Sequence, residues 1–392
     1  MFAVSSFPRK TVRPLLALLA AMALAACEPV AGGGGNGPAT APGAPVQVGL
    51  VVPGNSADPG DQVVARSLTQ AAQLAVADLD GVQIDLRIYN SGADAGSAAS
   101  AAAKAADEGA GIILGPVFAD AANAAGAAVA PKGLNVLSFS NNTDIAGGNV
   151  YVLGPTFQNT ANRLAAYAAR SGKRKILVVH EQTPAGDLGK RAIEAAIGRS
   201  GAALAGSIGY EFSQQGVISA APSIAAAAKS SGADAIFFTA DSAGALPLIT
   251  QLVTEAGVSP ATTKFIGLTR WDIPPATLAL PGVQGGWFAL PDPALAGQFA
   301  ARYQAAYGEA PPPVAGLAYD GIAAIGALAR SGRANALSGA ALTQGSGFAG
   351  VNGVFRLRPD GTNERGVAVA EIRNSQVFVI DPAPRSFGGA GF

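Results

Sequence analysis

Residues 46–140 repeat one unit. A short, almost wholly apolar run is followed by an alanine-rich stretch whose apolar residues fall on one helical face. Val48-Gly-Leu-Val-Val52 is the first such run. In Asp61–Leu79, residues Val64, Leu68, Ala71, Ala75 and Leu79 recur at 4-3-4-4 spacing, which lines up one buried face of a helix. Ile84–Tyr89 alternates apolar and polar residues, as a half-exposed edge strand does. Asp94–Glu108 predicts a second helix, closed by Gly109. The run Gly111–Gly115, a helix to about Ala130 and the run Asn135–Ser140 complete the series. Strands that are apolar at nearly every position need cover on both faces, and strands separated by helices pair in parallel. Right-handed crossovers then give a doubly wound sheet.

A second series starts near residue 157. Helices over Phe157–Arg170, Asp187–Arg199, Ile218–Ser230 and Ala245–Ala256 lead to strands at Lys175–His180, Ala203–Tyr210, Asp234–Thr239 and Lys264–Gly267. Two series of this size predict an α/β protein with two doubly wound parallel-sheet lobes. Gly353–Arg358, Gly366–Arg373 and Gln376–Ile380 read as further strands. The turn signal Pro359-Asp-Gly361-Thr-Asn joins the first two.

The N-terminus reads as an address. Arg9, Lys10 and Arg13 precede the apolar run Leu15–Ala26, which is too short to span a bilayer core of ~30 Å. Residues 1–26 are thus expected to be a signal peptide. The ending Leu24-Ala25-Ala26-Cys27 has the form of a bacterial lipobox. Its Cys, the one cysteine of the chain, would be lipidated and become the mature first residue. The alternative is an ordinary signal peptide with an incidental Cys. Residues 27–45 come next as the lipidated Cys and a Gly/Pro/Ala tether. The reading is a lipid anchor on the periplasmic side of the cell envelope, with Glu28 favouring the outer over the inner membrane.

Composition removes several function classes. Lys+Arg and Asp+Glu both number 26, so no basic excess exists for a nucleic acid. One Cys and one His exclude a disulfide framework and a His/Cys zinc cluster, and they argue against catalysis by a nucleophile-His pair. No motif calls for a cofactor or a metal, and no catalytic residue is assigned. The lone His180 ends an expected strand and reads as a hydrogen-bonded structural group. Trp287 reads as strand core.

In this order the motifs resemble the type I periplasmic solute-binding proteins, specifically the leucine/isoleucine/valine-binding branch. The resemblance covers about residues 46–382. It rests on Val48–Gly54 with Gly60 before a long helix, Gly111-Ile-Ile-Leu-Gly115-Pro116, Val136–Ser140 followed by Asn/Thr, Lys175–Glu181 with Gly186, Ala235–Thr239 and the Phe355–Gly361 hairpin. It implies two lobes joined by three crossing segments near 153–157, 267–272 and 344–350, with a ligand in the cleft. Lobe 1 would comprise 46–155 plus 270–345, and lobe 2 156–269 plus 346–382, with a disordered tail at 383–392.

The resemblance also implies a site. Amino-acid binders of this branch frame the ligand with tyrosines and hold its ammonium with an acid. Here the tyrosine positions fall on Pro59, Ala185 and Asp241, the carboxylate-binding hydroxyls on Ala119 and Asn142, and the acid near Thr269. The amino-acid site is poorly preserved. Ligand-cleft candidates are Asn55, Ser138, Ser140, Asn141, Asn142, Asp241, Thr269, Arg270 and Trp271. Arg270 offers a planar fork to an anion and Trp271 a stacking surface, which would suit an acidic, ring-bearing ligand. Alternatively, Arg270 pairs with Asp272 and Trp271 packs in the hinge.

The resemblance supports two functional readings. The first is a non-enzymatic, lipid-anchored binding protein serving an ABC transporter, with a small-molecule ligand as its partner. The second is an outer-membrane lipoprotein that activates a penicillin-binding protein, a peptidoglycan synthase, by docking. Either one meets the membrane through its lipid anchor alone.

Overall fold

The computed structural model describes residues 44–388, so the signal peptide, Cys27 and nearly all of the expected tether lie outside the described residues. The first lobe starts with β1 (Val46–Val52), α1 (Pro59–Ala77), β2 (Ile84–Asn90), α2 (Ala95–Asp107), β3 (Ile112–Leu114), α3 (Ala119–Val129), β4 (Val136–Ser138) and β5 (Val150–Val152). Its five strands lie in the order β2-β1-β3-β4-β5, all parallel. The central strands β3 and β4 are buried at every position, and the edge strand β2 is largely open to solvent. Helix α2 reaches the sheet with Ala98, Ala102 and Ala105. Such small side chains let the helix approach closely and lose little rotamer entropy on burial.

The second lobe holds α4 (Phe157–Arg170), β6 (Lys175–Glu181), α5 (Pro184–Ser200), β7 (Ala203–Tyr210), α6 (Gln214–Ser231), β8 (Ala235–Phe238), α7 (Leu246–Glu255), β9 (Lys264–Gly267) and β10 (Trp287–Leu290). The chain then returns to the first lobe with α8 (Pro293–Tyr307), α9 (Ala315–Arg330), α10 (Gly339–Leu342) and an antiparallel sheet of β11 (Phe348–Gly350), β12 (Gly353–Leu357) and β13 (Asn363–Arg365). Strands β14 (Ala368–Arg373) and β15 (Gln376–Asp381) finish the second lobe. Its seven strands run β15-β14-β10-β9-β8-β6-β7; β14 and β15 are the antiparallel ones.

Sheet membership moves two of the three expected crossings. The first runs through 153–156. The second falls at 291–292 instead of 267–272, because β10 pairs with β9 in the second sheet and residues 271–290 pack with it. The third falls at 366–367 instead of 344–350. The turn at Pro359 closes β12 onto β13, a strand the sequence does not announce, and β14 belongs to the other sheet. Residues 270–290 therefore belong to the second lobe and 346–365 to the first. The expected tail also shortens. Ala383 is buried in the second lobe's core, and the Arg356 guanidinium lies 4.5 Å from the Phe387 ring centre.

A buried polar clamp ties the first and third crossings together. Arg365, on β13, donates from Nε and Nη2 to the Leu153 carbonyl at 2.9 and 2.6 Å. Its Nη1 meets Asp320 of α9 at 2.9 Å. Asn363 donates to the carbonyls of Val152 and Gly154 at 2.7 and 2.8 Å. From the second lobe, Asn159 donates to Asn363 at 2.5 Å and Arg163 to the Val367 carbonyl at 2.8 Å. Asp320 is fully buried. Burial pushes its carboxyl upward, opposed by Arg365, Asn352 and the Val351 N–H. Even the approach of β11 is fitted to it: a Cβ on Gly350 would lie 2.1 Å from Asp320 Oδ1.

Removing one member of such a pair strands a buried charge, at a cost of about 3–5 kcal/mol. Asp320→Ala is expected to lower unfolding free energy by that amount in urea titration. Asp320→Asn, which keeps an acceptor for Arg365, should cost less.

Candidate functional site

The carboxyl ends of both parallel sheets face one another, and between them lies a cavity of about 770 Å³ lined from both lobes and from the crossings. The first lobe supplies Val117–Ala119 after β3 and Phe139–Asn142 after β4. The second supplies Leu268, Thr269, Arg270 and Ile273 after β9 and Ala289–Leu290 of β10. The crossings add Pro155–Phe157, Pro291, Arg365 and Val367. One side is closed by Ala296, Phe299 and Ala300 of α8, by Pro311–Val314, and by Gly316 and Leu317 of α9. The lining is mostly apolar. Its polar side chains are Ser140, Asn141, Asn142, Thr156, Thr160, Thr269, Arg270, Asn352 and Arg365, and among the described residues no Asp or Glu lines it.

Each polar group is set by local structure. Thr156 caps α4 by accepting from the Asn159 N–H at 3.3 Å. Ser140 accepts the Asn142 N–H at 3.1 Å, and Asn142 accepts that of Asp144 at 2.9 Å, so this loop is held by its own short polar residues. Arg270 makes a two-point pair with Asp272 through Nε and Nη2, leaving Nη1 outside the pair. Helices α3 and α9 begin on the cavity wall without a side-chain cap. At α9 the Ala315 and Leu317 N–H groups donate to the Pro312 and Val314 carbonyls at 3.0 Å. At α3, which has Asp120 in its first turn, the first N–H groups and the positive end of the dipole are available to an acceptor.

Five of the residues singled out from sequence come together here: Ser140, Asn141, Asn142, Thr269 and Arg270. The others stand elsewhere. Ser138 is buried under the cleft floor, donating to the Pro116 carbonyl at 3.0 Å and accepting the Ser140 N–H at 3.1 Å. Asn55 is exposed beyond the end of β1 and donates to the Asn90 carbonyl. Asp241 lies outside the lining, where it accepts the Gly244 N–H at 2.6 Å.

Trp271 is the main correction. It is fully buried in the second lobe's core and offers no surface to the cleft. Its ring fills a slot left by two glycines: a Cβ on Gly267 or Gly286 would approach it to 2.2 or 2.3 Å. Asp272 takes two of the donor groups of Arg270 that residue type alone offers to a ligand. The lining residues that sequence reasoning missed are chiefly Phe157, Phe299, Pro311–Pro313, Asn352 and Arg365. These sit far apart in the chain, and no local motif links them.

Acidic groups gather beside the cavity. Glu181 and Tyr210 are register partners at the ends of β6 and β7, with Asp241 just past β8. Burial, and then the Asp241 charge, push the Glu181 carboxyl above the usual range. Burial likewise raises the Tyr210 hydroxyl, which has no hydrogen-bond partner among the described residues. His180 is buried with Nδ1 3.3 Å from the Glu181 carbonyl. Trp287 packs edge-on to Tyr167 in the second core, its ring centroid 4.9 Å away.

Residues 45–376 match the model of the periplasmic binding protein family, and the chain belongs to that family. It is similar in structure to an ABC transporter substrate-binding protein from Sphaerobacter thermophilus, with a TM-score of 0.68, 17% identity, and 89% of this chain and 100% of that one covered. A substrate-binding protein from Desulfitobacterium hafniense, in complex with Leu, gives 0.63, 17%, 86% and 100%. A solute-binding protein from R. palustris, in complex with benzoate, gives 0.57, 18%, 89% and 99%. These likenesses show the fold, that of the type I periplasmic binding proteins. Among curated protein sequences, none matches the chain.

Trp271→Ala should cost about 3–5 kcal/mol of stability, as loss of a large core side chain does, while ligand affinity of the folded protein stays unchanged. A weakened affinity at full folding would return Trp271 to the site. Glu181, with its folded-state pKa raised, binds its proton more tightly in the folded than in the unfolded chain. Its effect on stability therefore turns unfavourable as pH rises from the ordinary carboxyl value through the raised one. Glu181→Gln should raise the melting temperature at pH 7, and the gain should vanish near pH 4.

Proposed function

We propose that this protein is an extracytoplasmic solute receptor. It binds a small molecule with a largely apolar body between its lobes and presents it to an ABC transporter. The carrying observation is the cavity of about 770 Å³, built jointly by both lobes and the crossings. Ligand pockets of ~300–1,000 Å³, mostly apolar with a few placed polar groups, are the usual form of a small-molecule site. A ligand touching both lobes stabilises their closed arrangement by its differential affinity for it. Relatives in fold that hold Leu and benzoate support the scale of the solute. With no His, Cys, Asp or Glu in its lining among the described residues, the cavity wall supplies no acid–base pair for an enzymatic step.

The lipid anchor is part of this proposal. Cys27 would hold the domain at the periplasmic face of a membrane, with the outer membrane favoured by Glu28. Among the described residues no helix is long and apolar enough to cross a bilayer. Cys27→Ser should move the protein from the membrane to the soluble fraction on cell fractionation; retention on the membrane would refute the anchor.

The receptor reading is tested by a thermal-shift screen of the mature chain against amino acids, organic acids, sugars and muropeptide fragments. A ligand at ~100 times its Kd stabilises by about 2.7 kcal/mol, a visible shift of the midpoint. At least one class of small molecule should give it. A flat response throughout would count against the receptor and toward docking on a peptidoglycan synthase, which a pull-down with purified synthase would then test.

A further inference from the structure

The lining of the cavity narrows the chemistry of its ligand, provided that the receptor reading above holds. Phenylalanines arrive from four separate segments: Phe118 before α3, Phe139 after β4, Phe157 at the start of α4 and Phe299 on α8. They represent both lobes and the side wall, so a ligand between the lobes meets aromatic surface on several sides. Rings of this kind favour another ring in edge-to-face or offset contact.

The charge pattern is one-sided. The cavity wall carries Arg270, with Nη1 outside its pair with Asp272, and the uncapped start of α3. Both favour an anionic group. No carboxylate lines the wall among the described residues; Asp272 and Asp320, the acids that touch its arginines, are taken up by Arg270 and Arg365. An ammonium group in this space would lose water without gaining a counter-charge. The free polar side chains Asn141 and Thr160 have no hydrogen-bond partner among the described residues and can serve neutral ring substituents or the acid itself.

We propose that the cleft takes an aromatic carboxylic acid that carries no ammonium group. Four probes separate the claims. They are 3-phenylpropanoate, L-phenylalanine (an added ammonium), hexanoate (no ring) and 3-phenylpropanamide (no charge). Binding is read by isothermal titration calorimetry on the mature chain.

The expected result is that 3-phenylpropanoate binds at least tenfold more tightly than each of the other three. Phe157→Leu should weaken 3-phenylpropanoate several-fold and leave hexanoate unchanged. The double variant Arg270→Gln with Asp272→Asn should abolish the preference for the acid over the amide. The double change avoids leaving Asp272 unpaired, and the ratio of two ligands separates a role in recognition from a general loss of fold. L-phenylalanine binding as tightly as its deaminated counterpart, or hexanoate matching the aromatic acid, overturns the inference. So does failure of all four probes when the broader screen finds another ligand, and the receptor reading then stands. Silence of the four probes and of the whole screen overturns both.

Discussion

The buried contact of Arg365 with the Leu153 carbonyl and Asp320 is the constraint on which the arrangement of the lobes depends. Arg365 is only 7% exposed, and its guanidinium is held on three sides. One of its partners is the main chain of the first crossing, and the arginine itself stands just before the third. Two strands of chain that pass between the lobes are therefore bound into one unit, with Asn363 repeating the same main-chain contacts from two residues away. Because the arginine also lines the cavity, the clamp and the site share an atom group. Pivoting at 153–156 and 366–367 leaves this network intact only if both segments move together.

The cavity arises from the same topology. Parallel sheets put loop ends and helix starts at their carboxyl edges, which is where a site forms in open α/β folds. The helices that start on the cavity wall differ in one respect: α4 has its Thr156 cap, and α3 and α9 have none. The backbone at the start of α3 thus adds to the polarity of the cleft, beside Arg270 and its partner Asp272.

The repeating units were legible in the sequence because apolar strand runs and 4-3-4-4 helix spacing are local signals. Strand ends, and so the loops at 139–142 and 268–270, could be read from them. The crossings were not legible. Trp287–Leu290 is a short run whose sheet is decided by its neighbour β9 and by β14, residues distant in sequence. Trp271 illustrates the same limit. Residue type suggests a ligand surface, but Gly267 and Gly286 open a slot that buries it, and their spacing around the tryptophan has no local meaning until β9 and β10 pair. Arg365 lies 45 residues from Asp320 in the chain. The four cavity phenylalanines are spread from Phe118 to Phe299.

The central claim is that the two lobes share one ligand and close on it. The most direct measurement is the distance between spin labels at exposed positions Ser100 and Ser219, one on each lobe, with and without the bound small molecule. A shorter and narrower distance distribution is expected on saturation, in proportion to ligand occupancy. A distribution unchanged by a ligand that demonstrably binds would contradict the claim.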